Sequence, residues 1–320
     1  MKILENILAP VIGLVGVALL FALLTGSPER YLSAANLRVV LAQTMIVAIG
    51  ALGMTVVMIS GGIDLSVGSV IALASVVAAV ALRNGMAPIA AVLAGIAIGG
   101  VVGSINGLAI TTLRVVPFIA TLGMLGVARG VAKYFANQQT VNAPPTWINE
   151  LAVTFPSRPW MLFAPGVWLT IALAAVMTLL LRNSVFGRRV FAIGSNELAA
   201  RACGIHTDRL KIWIYGIAGL FFGLAGVTQM SRLRQGDPTV AVGVELDVIA
   251  AVVIGGGSLS GGEGSIPGAM IGALVMSLLR NGCQQMGWPN YVQEIIIGVI
   301  IVFAVAADRY RASRAAEASS

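Results

Sequence analysis

The chain has 320 residues, of which 58% are hydrophobic and 10% charged, with a mean hydropathy of +0.93 and a formal net charge of +7. Soluble domains carry about 25% charged residues, so a water-soluble fold is excluded, and apolar stretches of the ~20 residues that a helix needs to cross a bilayer recur along the sequence. They are continuous rather than alternating, which argues against a transmembrane β-barrel and makes the fold class all-α, a polytopic transmembrane helical bundle. The basic excess reads as loop charge at one membrane face, not as a nucleic-acid surface.

Ten spans are predicted, at about 8–26, 39–60, 64–82, 88–112, 115–136, 161–182, 212–230, 244–258, 265–283 and 290–307. The first reads as an uncleaved helix, because no small-x-small cleavage site follows it. An even count puts both termini on one side. The second and third spans are separated by Ser60-Gly61-Gly62-Ile63-Asp64-Leu65-Ser66-Val67-Gly68-Ser69, a glycine-rich break. Non-helical backbone at membrane depth must find its hydrogen bonds in protein or water, and such breaks flank the pathway in many transporters; a tight turn between adjacent spans is the plainer reading. Asp64 is the acid most deeply set in apolar sequence. A charge at the bilayer centre costs about 2.5–3.5 kcal/mol on insertion scales, so such a residue is a candidate pathway or ion site; the plainer reading is that it caps the helix that follows.

Gln43, Asn106 and Thr121 are polar residues inside apolar spans, readable as pathway lining or as interhelical hydrogen bonds. Glycines at four-residue spacing (Gly99, Gly103 and Gly107; Gly126 and Gly130; Gly219 and Gly223; Gly264, Gly268 and Gly272) predict close backbone packing between helices. The loop 137–160 carries Pro144, Pro145, Pro156 and Pro159 but a single basic residue, Arg158, and is expected outside.

The polar island 182–211 holds six of the twenty basic residues, and with Arg309, Arg311 and Arg314 of the tail it assigns its side, and both termini, to the cytoplasm. The domain reading is therefore one transmembrane domain, 1–308, with an internal loop 183–211, an external loop 137–160 and a cytoplasmic tail 309–320. In the loop, Asn196 is placed to cap a short helix, Glu197 and Arg201 form an i,i+4 pair, and Gly204 suits the left-handed stop after Cys203. Two turns are unstable alone; packing on the protein itself or in a partner's groove, through Leu198, Ala199 and Ala202, would hold them. His206 reads as a solvated side chain. Cys203 and Cys283 have no metal-ligand spacing, and neither a metal site nor a catalytic residue is predicted.

A second break, Gly255-Gly256-Gly257-Ser258-Leu259-Ser260-Gly261-Gly262-Glu263-Gly264-Ser265, precedes the ninth span; Gly256, Gly257, Gly261 and Gly262, like Gly61 and Gly62, are candidate helix-break or pathway positions. Its Leu259–Glu263 stretch resembles the signature of ABC ATPases. No phosphate-cradling G-x-x-x-x-G-K-[ST] loop exists, since none of Lys2, Lys133 and Lys211 follows a glycine, so the chain has no ATP site of that type.

The strings SGGIDLSVGS (60–69), AIGSNELAARACGI (192–205), VIGGGSLSGGEGSIPGAMIGAL (253–274) and NGCQQMGWPNYVQEIIIGVIIVFAV (281–305) resemble the permease subunits of ABC sugar importers, in the ribose/xylose/arabinose/galactoside branch. The resemblance implies a non-enzymatic transport subunit of a bacterial cytoplasmic (inner) membrane, translocating a pentose or hexose. It implies a second permease copy or paralogue, cytoplasmic ABC ATPase subunits that hold the ATP and Mg, an extracytoplasmic sugar-binding protein, and no cofactor on this chain. It assigns ATPase coupling to Asn196, Glu197, Ala200, Arg201 and Gly204. Cys203 departs from the small or polar residue expected there. The alternative is an ion-coupled secondary transporter using Asp64, which leaves the basic loop unexplained; an enzyme is disfavoured by the scarcity of titratable residues in the spans.

Overall fold

The computed structural model describes residues 2–155 and 161–317; Pro156, Arg158 and Pro159 lie outside the described residues. In chain order the helices are α1 (Lys2–Leu24), α2 (Pro28–Tyr31), α3 (Ala34–Ile59), α4 (Val67–Arg83), α5 (Pro88–Thr112), α6 (Pro117–Phe135), α7 (Pro165–Asn183), α8 (Val185–Ser195), α9 (Glu197–Ala202), α10 (Thr207–Leu233), α11 (Val244–Ile254), α12 (Ile266–Gln285) and α13 (Asn290–Glu317). A 3-10 turn spans Trp147–Glu150, and a two-residue antiparallel ladder pairs β1 (Val141–Asn142) with β2 (Gln235–Gly236), an element the all-α reading did not anticipate.

Helix starts are written in the sequence. Pro88, Pro117 and Pro165 occupy first positions, where the missing N–H costs nothing. The side chains of Ser33, Ser184, Asn196 and Ser265 accept from amides three residues on. Six helices (α3, α5, α6, α7, α10 and α12) are long and apolar enough to cross a membrane, and shorter apolar stretches cover Leu8–Leu24, Val67–Arg83 and Asn290–Phe303. Two predicted spans are shorter than drawn. The one placed at 64–82 begins at Val67, and the one at 244–258 is an 11-residue helix. At 1.5 Å per residue α11 reaches only about 16 Å, against the ~30 Å of a bilayer's hydrocarbon core. It stops because the glycine run that follows it has no side chains to pack.

α3 lies innermost, buried along most of its length. α5 and α10 run antiparallel at backbone contact. A Cβ at Gly107 would sit 2.7 Å from Ile212 Cα, one at Gly103 would overlap the Tyr215 carbonyl, and Gly99 and Gly219 face each other in the same way. On the α12 side, Gly268 opposes Gly255 and Gly272 opposes Ala251, folding α11 and α12 into a hairpin. Removing side chains at these positions lets the helices approach until backbone dispersion holds them. Gly126 and Gly130 behave otherwise: among the described residues nothing lies within 4 Å of a Cβ at either. Their spacing marks a face, and spacing does not say what covers a face.

At the end of the bundle that carries β1 and β2, Phe21 packs on Gly282, and Asn36 and Asn281 exchange side-chain hydrogen bonds at 3.0 Å. α8 and α9 lie at the opposite end, between α7 and α10.

Candidate functional site

The first break, Ser60–Ser66, buries Ser60, Gly62, Asp64 and Ser66 and leaves Gly61 exposed. Asn106 lies six residues before the end of α5 and Tyr215 eight residues into α10, so the break they contact is recessed by about 9–12 Å along the helices. Asp64 is fully buried. Its Oδ1 accepts from the Ser66 amide at 2.8 Å and from the Ser66 hydroxyl, and its Oδ2 accepts from Asn106 Nδ2 at 3.2 Å. Asn106 also donates to Ser66 Oγ at 3.0 Å, closing a three-residue ring. The neighbouring backbone is served by other helices. Leu65 N donates to Thr121 Oγ1 of α6 at 3.1 Å, and Tyr215 of α10 donates to the Ile63 carbonyl at 3.5 Å. Backbone freed from a helix in an apolar setting needs such partners, because an unmet group there costs several kcal/mol. Asp64 thus sits two residues before the Ser66 N-cap of α4 and organises the turn leading into it.

Two of the three polar span residues, Asn106 and Thr121, meet at this break, both buried. Gln43 does not: it stands on α3, near the opposite end, within 3.5 Å of Gln284 Oε1.

The second break, Gly255–Ser265, is served mostly by its own backbone. Gly257 N reaches Val252 O at 2.8 Å, Ser258 N reaches Glu263 O at 3.2 Å, and Gly262 N crosses to Ile59 O at the end of α3 at 2.8 Å. Gly256, Gly261, Gly262 and Gly264 have φ of +86°, +87°, +78° and +153°, backbone conformations that a side chain makes costly. The flanking helices are tied by a pair that sequence reading missed: Arg280 of α12 meets the buried Asp247 of α11 at 2.7 Å. The only signal was two opposite charges in apolar segments, 33 residues apart.

The loop between α7 and α10 folds as two helices, not one. α8 buries Val190 and Ile193 against the bundle. Asn196 ends α8 and caps α9, accepting from Ala199 N at 2.9 Å, and Gly204 takes φ +82°. The remaining residues assigned to coupling turn back on the protein. Glu197 accepts from Lys211 of α10 at 2.7 and 2.8 Å and from Arg201 at 3.4 Å. Arg201 also donates to Thr207 and Asp208, and Ala200 is buried. Burial pushes the Glu197 carboxyl up, but the bonds and charges of Lys211 and Arg201 outweigh it and hold the group below the ordinary carboxylate value. Beside the exposed Arg201, the outward face carries an apolar patch: Leu198, 80% exposed, with Ala199, Ala202 and Cys203 also exposed. A helix whose charges pair with its own chain and whose leucine points to solvent is built to be covered.

Among the described residues no group of three or more His, Cys, Asp or Glu side chains is placed to hold a metal. The fold and site define a helical membrane protein with two helix breaks, the first recessed, and one braced, outward-facing loop helix. The chain belongs to the family described as the permease component of the branched-chain amino acid transport system, which matches residues 36–305. It is 38% identical to the ribose import permease protein RbsC of Escherichia coli K12, over 92% of both chains, and 39% identical to RbsC of Bacillus subtilis, over 96% of this chain and 94% of that one. It is also 32% identical to the fructose import permease protein FrcC of Rhizobium meliloti, over 94% of this chain and 84% of that one. No solved structure matches it.

Proposed function

We propose that the chain is the transmembrane permease subunit of an ABC importer, carrying a monosaccharide of the pentose or hexose type across a bacterial cytoplasmic membrane. The observation that carries this is the α9 loop, whose exposed Leu198 projects from a helix braced by Glu197, Arg201 and Lys211. Six basic residues between 182 and 211 orient that end to the cytoplasm. With ten membrane-inserted helical segments, including the half-length α11, both termini share that side.

In this reading α9 seats its apolar face in a groove of a cytoplasmic ATPase, and a second permease copy or paralogue completes the transmembrane body. ATP and Mg reside on the ATPase, and a sugar-binding protein delivers cargo from outside. Nothing on this chain makes or breaks a covalent bond. Closure of the ATPase pair displaces α9, and the repacked helices expose the pathway to the other side. Cargo selectivity belongs mainly to the binding protein, which fits the small number of polar groups here.

The test is affinity co-purification of the tagged chain in mild detergent, followed by an ATP hydrolysis assay. An associated, hydrolysing subunit that is lost from Leu198→Asp is the expected result. A desolvated anchor of this kind is worth about 2 kcal/mol or more, some thirtyfold in affinity. A chain that, without any ATPase, moves sugar along an ion gradient in liposomes overturns the proposal, and loss of that movement in Asp64→Asn would make the protein a secondary transporter.

A further inference from the structure

Ile59 is the last residue of α3, and its carbonyl lies among those left without an intrahelical partner at the helix end. The amide of Gly262 in the second break donates to it at 2.8 Å. One hydrogen bond thereby joins the two breaks. Gly194, one residue before the end of α8, lies over that bond: a Cβ there would overlap the Ile59 carbonyl and stand 2.5 Å from Gly262 N. A Cβ at Gly261 would meet the Gly194 carbonyl and Gly61 Cα, each at 2.8 Å, and one at Gly262 would meet Ser195 Oγ at 2.9 Å. Segments 59–61, 194–195 and 261–262 therefore meet backbone to backbone. Such contacts have no rotamer to yield, so a shift of one segment is felt by the others. Ser195 is followed directly by Asn196, the cap of α9.

Resting on the reading of α9 as the docking helix, we infer that Gly194 is a positioning residue for coupling, through which displacement of α9 reaches both helix breaks at their shared hydrogen bond. The contact is short, follows the buried Val190 and Ile193 along α8, and engages the end of α3 and the α11–α12 hairpin together. The competing route runs from Glu197 through Lys211 into α10. It enters the first break through Tyr215.

The experiment uses the full chain with its co-purifying ATPase in lipid nanodiscs, and the probe is ATP with magnesium and orthovanadate, so no sugar need be known. Backbone hydrogen exchange is followed over 56–64, 196–204 and 255–265. In the wild type, trapping changes exchange at the Gly262 amide by about threefold or more. In Gly194→Ala, segment 196–204 still responds and hydrolysis continues, while the Gly262 response is lost. In Lys211→Met the Gly262 response survives. A Gly262 amide indifferent to nucleotide in the wild type, or one that still responds in Gly194→Ala, overturns the inference; so does loss of the response in Lys211→Met. If Gly194→Ala fails to assemble, the wild-type and Lys211→Met measurements decide. Absence of any associated ATPase in the wild type is a different result, and sinks the proposed function beneath the inference.

Discussion

Between Ser60 and Ser66 the backbone leaves the helix under the care of side chains from three other helices, Asn106, Thr121 and Tyr215, with Asp64 and Ser66 between them. Between Gly255 and Ser265 it does so largely by curling on itself, with four glycines at positive φ and one amide lent to α3. Both breaks solve the same problem, amides and carbonyls without helical partners in an apolar bundle. The first is over-determined: side chains of three other helices hold its backbone at once. The second is held by backbone conformation and by the α11–α12 hairpin, and its glycines lie in close contact with the segments around Ile59 and Gly194, so a shift of either reaches it directly. The first reads as an anchor and the second as the compliant element.

The largest effect is expected where the compliant break is held by charge. Arg280→Met leaves Asp247 buried without its cation, and breaking a buried pair by removing one partner costs about 3–5 kcal/mol. The melting temperature in detergent should fall, and Asp247→Leu in the same chain should recover most of it, since replacing both partners by apolar groups is far cheaper. A melting temperature that stays put in the single variant would mean that the pair does not hold the hairpin.

The anchor is tested next. In Asp64→Asn the new amide would present a donor to Asn106 Nδ2, also a donor, leaving one hydrogen bond of the ring unmade at about 1–3 kcal/mol. Asn106→Asp in the same background restores donor to acceptor, and thermal stability should return toward wild type. An ion-coupling role predicts otherwise, with transport lost in both variants whatever their stability.

At the compliant break, Gly256→Ala places a side chain at φ +86° and should cost about 1–2 kcal/mol. The same change at Gly126, where nothing stands within 4 Å of the new methyl, should leave the melting temperature of the isolated chain unmoved. If Gly126→Ala instead reduced assembly into dimers, measured by crosslinking in membranes, the second permease copy would be assigned to that face.

Local signals made much of this legible. The Ser-Gly-Gly-Ile-Asp and Gly-Gly-Gly-Ser strings located both breaks, and Asn196 and Gly204 bounded α9 because caps and left-handed stops are chosen by neighbouring backbone. The stripes on α5, α10 and α12 were legible as contact faces for the same reason. Long-range pairing was not. Nothing around Glu197 says that its charge is spent on Lys211, 14 residues away. The Asp247–Arg280 pair, the separation of Gln43 from Asn106 and Thr121, and the meeting of Gly194 with Gly262 all depend on which helices become neighbours, which periodicity leaves open.

The smallest effect separates bracing from docking at α9. The folded value of the Glu197 carboxyl lies below its ordinary 4.5. A depressed acid contributes stability that is fully present above the ordinary value and is lost as pH falls through the lower folded one. Its side chain is 37% exposed, so solvent screening keeps the contribution under about 1 kcal/mol. Between pH 7 and pH 5, then, α9 stays braced, and acidification below about pH 4.5 loosens it. Lys211→Met removes the principal partner and should bring that loosening to higher pH, read as faster hydrogen exchange over 196–204 at pH 5, with melting of the whole chain unchanged. If exchange there is indifferent to Lys211, the charges on α9 are not holding it to α10. Glu197 and Arg201 would then be free to meet the partner, as the family resemblance implied.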